Sequence, residues 1–148
     1  MATTFNPYNS VLLSAASGLY VPFNTSDLRI NLYTAFTFNP AHTTKTQAET
    51  GATQVATGNG YTQNSKVVAN PAFISYATSG LAFKSDAIIW YPGTGETLTA
   101  RYGLLYFNGL QDKPPLALID FGQSTSVQAP QPFIIAPPAD GWATANWQ

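Results

Sequence analysis

Residues 87–107 read AIIWYPGTGETLTARYGLLYF and carry the strand pattern around which the rest of the predicted fold is organised. Residues 87–91 are apolar on both faces of an extended chain, with Ile89 and Tyr91 on one side and Ile88 and Trp90 on the other. The link at 92–96 is rich in turn formers. The segment therefore predicts a β-hairpin.

The second strand of this hairpin, residues 97–107, begins with strict alternation of apolar and polar residues. One face would carry the following side chains: Leu98, Ala100, Tyr102, Leu104 and Tyr106. After Gly103 the other face becomes apolar as well. Such a strand is covered on both faces, either by a second layer of a sandwich or by a contact between subunits.

Shorter elements on both sides complete the predicted fold. Residues 27–38 alternate like a half-buried strand, and prolines around residues 133–136 indicate an edge strand. Asn6, Pro7 and Gly18 predict a short helix, since Asn caps helices, Pro fits the first turn and Gly suits the residue after the end. We expect a mainly β fold, an antiparallel β-sandwich or barrel-like domain with one short N-terminal helix.

The same elements predict one domain over residues 1–148. A chain of this length can bury a core without disulfide bonds, and it contains no cysteine. Residues 41–54 (AHTTKTQAETGATQ) have almost no large apolar residue and no period, which predicts a long surface loop or arm. Residues 129–148 are rich in proline and predict an extended C-terminal tail.

The charge content is unusually low. Charged residues make up 9% of the chain, against about 25% in ordinary soluble domains, and the net charge is −1. Such a sequence lacks the cluster of basic residues that indicates electrostatic binding to nucleic acid or to an anionic membrane. No apolar run approaches the roughly 20 residues of a membrane span. A weakly charged surface favours association, which indicates a subunit of an assembly.

Catalytic and metal-binding patterns are weak, and we expect no enzyme activity, no cofactor and no metal. His42 is the only histidine, it lies in the polar segment 41–54, and no serine-elbow motif accompanies it. The acidic residues are scattered along the chain. The glycine pairs at 58–60 and 93–95 lack the later glycine and the Lys-Ser/Thr pair of phosphate loops, so they predict turns.

Four aromatic residues lie near the two ends, outside the best strand patterns. They are Phe5, Tyr8, Trp142 and Trp147. Aromatic residues are enriched at the centres of interfaces, so these four are candidate contacts with a partner. The alternative is that both termini fold back onto the domain.

The order of motifs resembles that of a group of small structural proteins of tailed bacteriophages. The segments that carry the resemblance are DLRINLYT (27–34), VATGNGYT (55–62), IWY (89–91), LTARYGLLY (98–106) and IDFG (119–122). The resemblance spans roughly residues 6–133 and contains no catalytic signature. It implies a virion protein, either a capsid decoration (cement) subunit or a head or tail accessory subunit.

The resemblance also implies partners and a location. The partners would be the major capsid protein of the same virion and further copies of this chain, as a dimer or trimer at a symmetry axis. The protein would be synthesised in the host cytoplasm and would lie on the capsid surface. Two alternatives remain, a tail accessory subunit and a carbohydrate-binding β-sandwich module.

Overall fold

A computed structural model describes residues 3–10, 27–75, 80–139 and 141–146 of the chain. These residues are mainly β, and the short helix α1 spans Lys45–Ala48. The strands are β1 (Thr4–Pro7), β2 (Leu28–Ala35), β3 (Thr53–Gln54), β4 (Lys66–Val67), β5 (Ala72–Ser75), β6 (Gly80–Lys84), β7 (Ile88–Trp90), β8 (Thr97–Phe107), β9 (Pro115–Gln128), β10 (Phe133–Ile135) and β11 (Ala143–Asn146).

The strands form three antiparallel sheets. A large sheet has the order β1-β9-β8-β2-β3, and β4 also pairs with β2. A two-stranded sheet joins β7 to β10, and a three-stranded sheet has the order β11-β6-β5. This confirms the prediction of a mainly β, antiparallel fold. No sheet is closed among the described residues.

The large sheet is built on the hairpin of β8 and β9, and both faces of β8 are buried from Gly103 to Phe107. On one face, Leu105 and Phe107 belong to a first core cluster, which also holds Trp90, Phe133 and Trp142 from the smaller sheets. On the other face, Leu104 belongs to a second cluster with Tyr8, Tyr33, Ala48 and Leu118. The predicted double burial of the second half of β8 is therefore confirmed.

The predicted hairpin of residues 87–107 is wrong in its pairing, whereas its turn is present. The strand at 88–90 does not pair with β8; it pairs with β10, because β2 and β9 already take the two edges of β8. Residues 92–96 form a turn closed by a 2.8 Å hydrogen bond from the Glu96 N–H to the Gly93 carbonyl. This turn carries the chain from the two-stranded sheet into the large one.

The residues predicted to share one apolar face of β8 also do not all lie on the same side of the large sheet. Leu98 and Ala100 lie in the first cluster, whereas Leu104 lies in the second. The pairing register between β8 and β9 shifts between Ala100 and Tyr102. Since side chains alternate along a strand, such a shift exchanges the faces that meet the core.

Residues 41–54 are not a structureless loop. They contain α1, whose first turn is capped by a 3.2 Å hydrogen bond from the Gln47 N–H to Thr44 Oγ1, and they end in β3. Ala48 is buried in the second core cluster. The predicted arm is thus a cover for the second face of the large sheet.

Polar contacts fix α1 on that face. The Tyr33 hydroxyl donates a hydrogen bond to Glu49 Oε1, and Lys45 Nζ lies 2.6 Å from the same carboxylate oxygen. Lys45 also lies 5.0 Å from the centroid of the Tyr106 ring. Burial, followed by the hydrogen bond to Glu49, raises the pKa of Tyr33, so this hydroxyl stays a donor at ordinary pH.

The predicted start of the N-terminal helix is wrong, because Asn6 and Pro7 belong to β1, which pairs with residues 117–120 of β9. Asn9 and Ser10 have helical backbone, and the rest of the predicted helix lies outside the described residues. The strand predicted over 27–38 is confirmed as β2, although it ends at Ala35. Phe36 and Phe38 turn onto the second cluster.

Asn31 is fully buried and ties the segment around Asn64 to β2. Its Nδ2 donates to Asn64 Oδ1 at 2.7 Å, and the Asn64 N–H donates to Asn31 Oδ1 at 2.9 Å. Nearby, the Tyr61 hydroxyl accepts a 3.1 Å hydrogen bond from the Leu32 N–H. These contacts cover the edge of β2 between its short pairings with β3 and β4.

We predict that Asn31→Ala lowers the free energy of unfolding by about 2 kcal/mol, because it removes a fully buried side chain and the two hydrogen bonds that it makes with Asn64. Urea unfolding followed by circular dichroism measures the change. The matched control is Thr34→Ala on the exposed part of β2, which should shift stability by less than about 0.5 kcal/mol. Equal effects of the two substitutions would contradict the structural role of Asn31.

Candidate docking surface

The structure places three of the four candidate interface aromatics in the domain's own core. Tyr8 is fully buried in the second cluster, with its ring edge on Phe38 at a centroid distance of 5.0 Å. Phe5 is partly buried against the first cluster. Trp147 lies outside the described residues.

Trp142 is only 6% exposed, and its indole Nε1 donates to Ser85 Oγ at 2.8 Å. The Phe5 ring stacks on it with a centroid distance of 6.4 Å. The chain then continues as β11, which pairs with β6. A partner contact through Tyr8 or Trp142 would require these side chains to leave the core. Their positions match the alternative in which both ends fold back onto the domain.

The histidine and several of the acidic residues considered as catalytic or metal-binding groups make structural contacts instead. The His42 backbone N–H donates to the Asn39 carbonyl in a turn. Three acidic residues face cations of their own, and these pairs are Asp27 with Arg29, Glu49 with Lys45, and Asp120 with Arg101. Among the residues that the structure describes, no group of three or more His, Asp or Glu side chains could hold a metal ion.

The exposed apolar side chains reveal a surface that the residue patterns did not single out. Tyr91, which directly follows β7, is 68% exposed, and Ile134 of β10 is 49% exposed. β7 and β10 pair as a two-stranded ribbon. Ile134 lies directly opposite Ile89 in this pairing. We call Ile89, Tyr91 and Ile134 the ribbon surface.

The ribbon faces outward because alternation divides its side chains. Ile88 and Trp90 of β7 and Phe133 and Ile135 of β10 point into the first core cluster. The intervening residues must then face solvent. The sequence did predict that Ile89 and Tyr91 share a face, but it could not show that this face lies outside, because the strand partner is distant in the chain.

A polar groove of about 300 Å³ borders the ribbon on one side. Its lining consists of Gly60, Thr62, Ser65, Lys66, Ile89, Trp90 and Tyr91. Lys66 Nζ donates to the Ile89 carbonyl at 2.5 Å and lies 5.5 Å from the centroid of the Trp90 ring. The lysine is therefore held in place by two contacts, and Tyr91 stands beside it as an exposed aromatic side chain.

The predicted turn at 58–60 forms the wall of this groove. Gly60 has a positive φ of 78°, and a Cβ at this position would lie 2.1 Å from the Tyr91 carbonyl oxygen. Only glycine allows so close an approach. Gly60 therefore allows the turn to pack against the ribbon, and the prediction of a turn at 58–60 is confirmed.

A second groove, of about 190 Å³, borders the ribbon on the other side. It lies between β9 and β10, and we call it the β9–β10 groove. Its lining consists of Thr3, Phe121, Thr125, Val127, Phe133, Ile134, Ile135 and Ala136. The groove carries no charged residue, whereas the polar groove carries Lys66.

Comparison with known protein families, with curated proteins and with solved structures finds no match for this chain. The resemblance to phage structural proteins therefore stays a prediction. Within the described ranges, no helix has the length and apolar character needed to cross a bilayer.

We predict that Trp142→Ala lowers the free energy of unfolding of the isolated protein by about 3 kcal/mol or more, because it removes a large buried side chain. Trp142→Phe keeps most of the packing and loses the hydrogen bond to Ser85, so it should cost less. Urea unfolding followed by circular dichroism compares both variants with the wild type. If Trp142 acted only as a partner contact, Trp142→Ala would leave the stability of the isolated protein unchanged.

Proposed function

We propose that this chain is a structural subunit of a tailed-bacteriophage virion, most specifically a decoration (cement) protein that binds the capsid shell. The observation that carries the proposal is the ribbon surface. Tyr91 and Ile134 expose apolar side chains at neighbouring positions, while Tyr8 and Trp142 are buried and Phe5 is partly buried. Tyrosine is enriched at the centres of protein interfaces and among the residues that contribute most to binding.

The charge content supports a docking role. With charged residues at 9% of the chain, little electrostatic repulsion opposes close packing of many copies. The order of the motifs resembles that of phage structural proteins, and this resemblance supports a virion as the assembly. In a tail accessory subunit, the same ribbon surface would bind a tail protein in place of the major capsid protein.

We further propose that the two smaller sheets form the second layer of an open β-sandwich. Trp90, Phe133 and Trp142 from these sheets pack into the cluster that covers one face of the large sheet. The ribbon surface would then lie on the outside of the second layer, where a shell could reach it. An open sandwich fits three separate sheets better than a barrel does.

A decoration protein would act by mass action. Binding to assembled coat subunits, and not to dissociated ones, favours the assembled shell. Many copies in a symmetric array give a large total effect from modest single-site affinity. The partner in this proposal is the major capsid protein, and a dimer or trimer of this chain would match a symmetry axis of the shell.

The test is co-sedimentation of the purified protein with heads that lack it, followed by heat disassembly of the decorated heads. We predict stoichiometric binding and a higher disassembly temperature. Tyr91→Ala should weaken binding by about 30-fold, as expected for an aromatic hot spot worth about 2 kcal/mol.

The matched control for this experiment is Leu110→Ala. Leu110 is another exposed apolar residue, but it lies in the turn between β8 and β9, away from the ribbon. Binding by the control should equal that of the wild type. Loss of binding in both variants, or in neither, would overturn the assignment of the ribbon as the docking surface. If the wild-type protein does not bind to heads, the proposed position changes from the capsid to the tail.

The polar groove favours one other function, the binding of a carbohydrate. Tyr91 offers an exposed ring beside the hydroxyls of Thr62 and Ser65 and the ammonium group of Lys66. Sugars are bound by a flat apolar face combined with a few placed polar groups, and this groove supplies both. The arrangement also suits a glycan on a host surface if the protein sits on a tail.

A glycan array probed with the purified protein tests this second function. If a glycan binds, Tyr91→Phe should keep the affinity within about threefold because the ring remains, whereas Tyr91→Ala should lower it by tenfold or more. Equal affinities of the two variants would show that the ring does not contact the sugar. Binding to heads without binding to any glycan would support the docking role and reject the carbohydrate-binding function.

A further inference from the structure

The polar groove holds a positive charge that its surroundings do not neutralise. Three other cationic side chains each face a carboxylate, and they are Arg29, Lys45 and Arg101. Lys66 faces none in the part of the chain that the structure describes, and its partners there are the Ile89 carbonyl and the Trp90 ring. Both contacts attract a cation without cancelling its charge. The groove therefore presents a positive charge to whatever enters it.

The Lys66 ammonium group also has hydrogen-bond donors left for a ligand. A lysine ammonium group has three N–H donors, and the Ile89 carbonyl accepts from one of them at 2.5 Å. Neither of the other two is used by the residues that the structure describes. Because Lys66 lines the groove and is only partly buried, an anion in the groove can accept from these two donors.

The position of this charge is fixed from two sides. The Lys66 backbone lies opposite Ile30 in the pairing of β4 with β2, and its ammonium group is held on β7 by the Ile89 carbonyl. The segment that leads to Lys66 is anchored at Asn64, which makes two hydrogen bonds with the buried Asn31. A group that is ordered before a ligand arrives loses little conformational entropy when the ligand binds.

A hydroxyl group and an aromatic ring complete the lining of the groove. The Ser65 hydroxyl donates to the Thr62 carbonyl at 2.8 Å, so its oxygen can still accept a hydrogen bond from a ligand. Tyr91 lines the same groove and exposes its ring to solvent. An apolar ring face beside a few fixed polar groups is the combination that orients a small polar ligand.

These groups define the size and the charge of the ligand. The volume of about 300 Å³ lies at the lower end of the range for small-molecule sites. Since Lys66 is the one charged residue in the lining, a ligand unit with one negative charge matches the groove. A phosphate monoester carries more than one negative charge at neutral pH and would be incompletely paired. A carboxylate carries one, and its two oxygens match the two donors that remain on Lys66.

We propose that the polar groove binds an acidic glycan through a sugar ring that carries a carboxylate. The ring stacks on Tyr91, the carboxylate accepts hydrogen bonds from Lys66, and a hydroxyl group of the sugar donates to Ser65. The proposal rests on the carbohydrate-binding function proposed above and names the class of the sugar. A neutral sugar would supply the ring and the hydroxyl groups but would leave the charge of Lys66 without a partner.

The probes are oligosaccharides of glucuronic, galacturonic, mannuronic and sialic acid, each printed on an array beside its methyl ester. The ester keeps the ring and the hydroxyl groups and lacks the negative charge. We predict that the protein binds at least one free acid, and binds it at least about tenfold more tightly than its ester, because charge-assisted hydrogen bonds are the stronger ones. Added salt should weaken binding of the acid and leave binding of the ester unchanged.

Lys66→Gln removes the charge and keeps a side-chain N–H donor near the Ile89 carbonyl. It should weaken binding of the acid by about tenfold or more and leave binding of the ester unchanged, so that the acid and the ester bind equally. Lys84→Gln is the matched control, because Lys84 donates to the Ala139 carbonyl outside the groove, and its binding should equal that of the wild type. Equal weakening of acid and ester by Lys66→Gln would show that Lys66 acts through packing, and would overturn the proposal.

The array separates the class of the sugar from carbohydrate binding itself. Binding of neutral glycans or esters as tightly as of the acids would keep the carbohydrate-binding function and overturn the acidic class. Binding confined to sulfated glycans would overturn the carboxylate. The absence of binding to every acidic and neutral glycan would reject both proposals for the groove. Lys66 is not part of the ribbon surface, so Lys66→Gln should leave attachment to heads unchanged.

Discussion

Everything in this fold depends on β8 being buried on both faces. From Gly103 onward neither face of the strand can meet water, so each face needs its own cover. The two smaller sheets supply one cover through the first core cluster, and α1 with Tyr8 supplies the other. The large sheet is thus the middle of the molecule, and the elements with weak sequence patterns are the ones that cover it.

This arrangement decides which surfaces remain for function. Both described ends of the chain are used internally, since β1 pairs with β9 and β11 pairs with β6. The ribbon of β7 and β10 has the opposite property, because it buries one face and leaves Tyr91 and Ile134 in solvent. A two-stranded ribbon has little backbone pairing of its own, so its position depends on the side chains it buries. The candidate surface is therefore held by the core beneath it.

The sequence predicted what local periodicity can encode and missed what depends on distant partners. β2 and the double burial of β8 follow from alternation alone. The pairing of β7 with β10 does not, because it joins segments about 45 residues apart, and the short link after β7 suggested a nearer partner. Residues 41–54 were misassigned because a four-residue helix shows no period, and Tyr33, Lys45 and Glu49 fix it through polar contacts. Exposure of Tyr91, the main residue of the candidate site, depends on the same distant pairing.

The uncharged wall of the β9–β10 groove has a consequence for the conditions under which this face can associate. Dissolved ions weaken contacts by screening charges, and a contact without charges offers them nothing to screen. Association at this face would keep its strength from dilute buffer to brine, and salts that are excluded from apolar surface would strengthen it. Contacts made through this face would therefore tolerate large changes in the ionic composition of the surroundings.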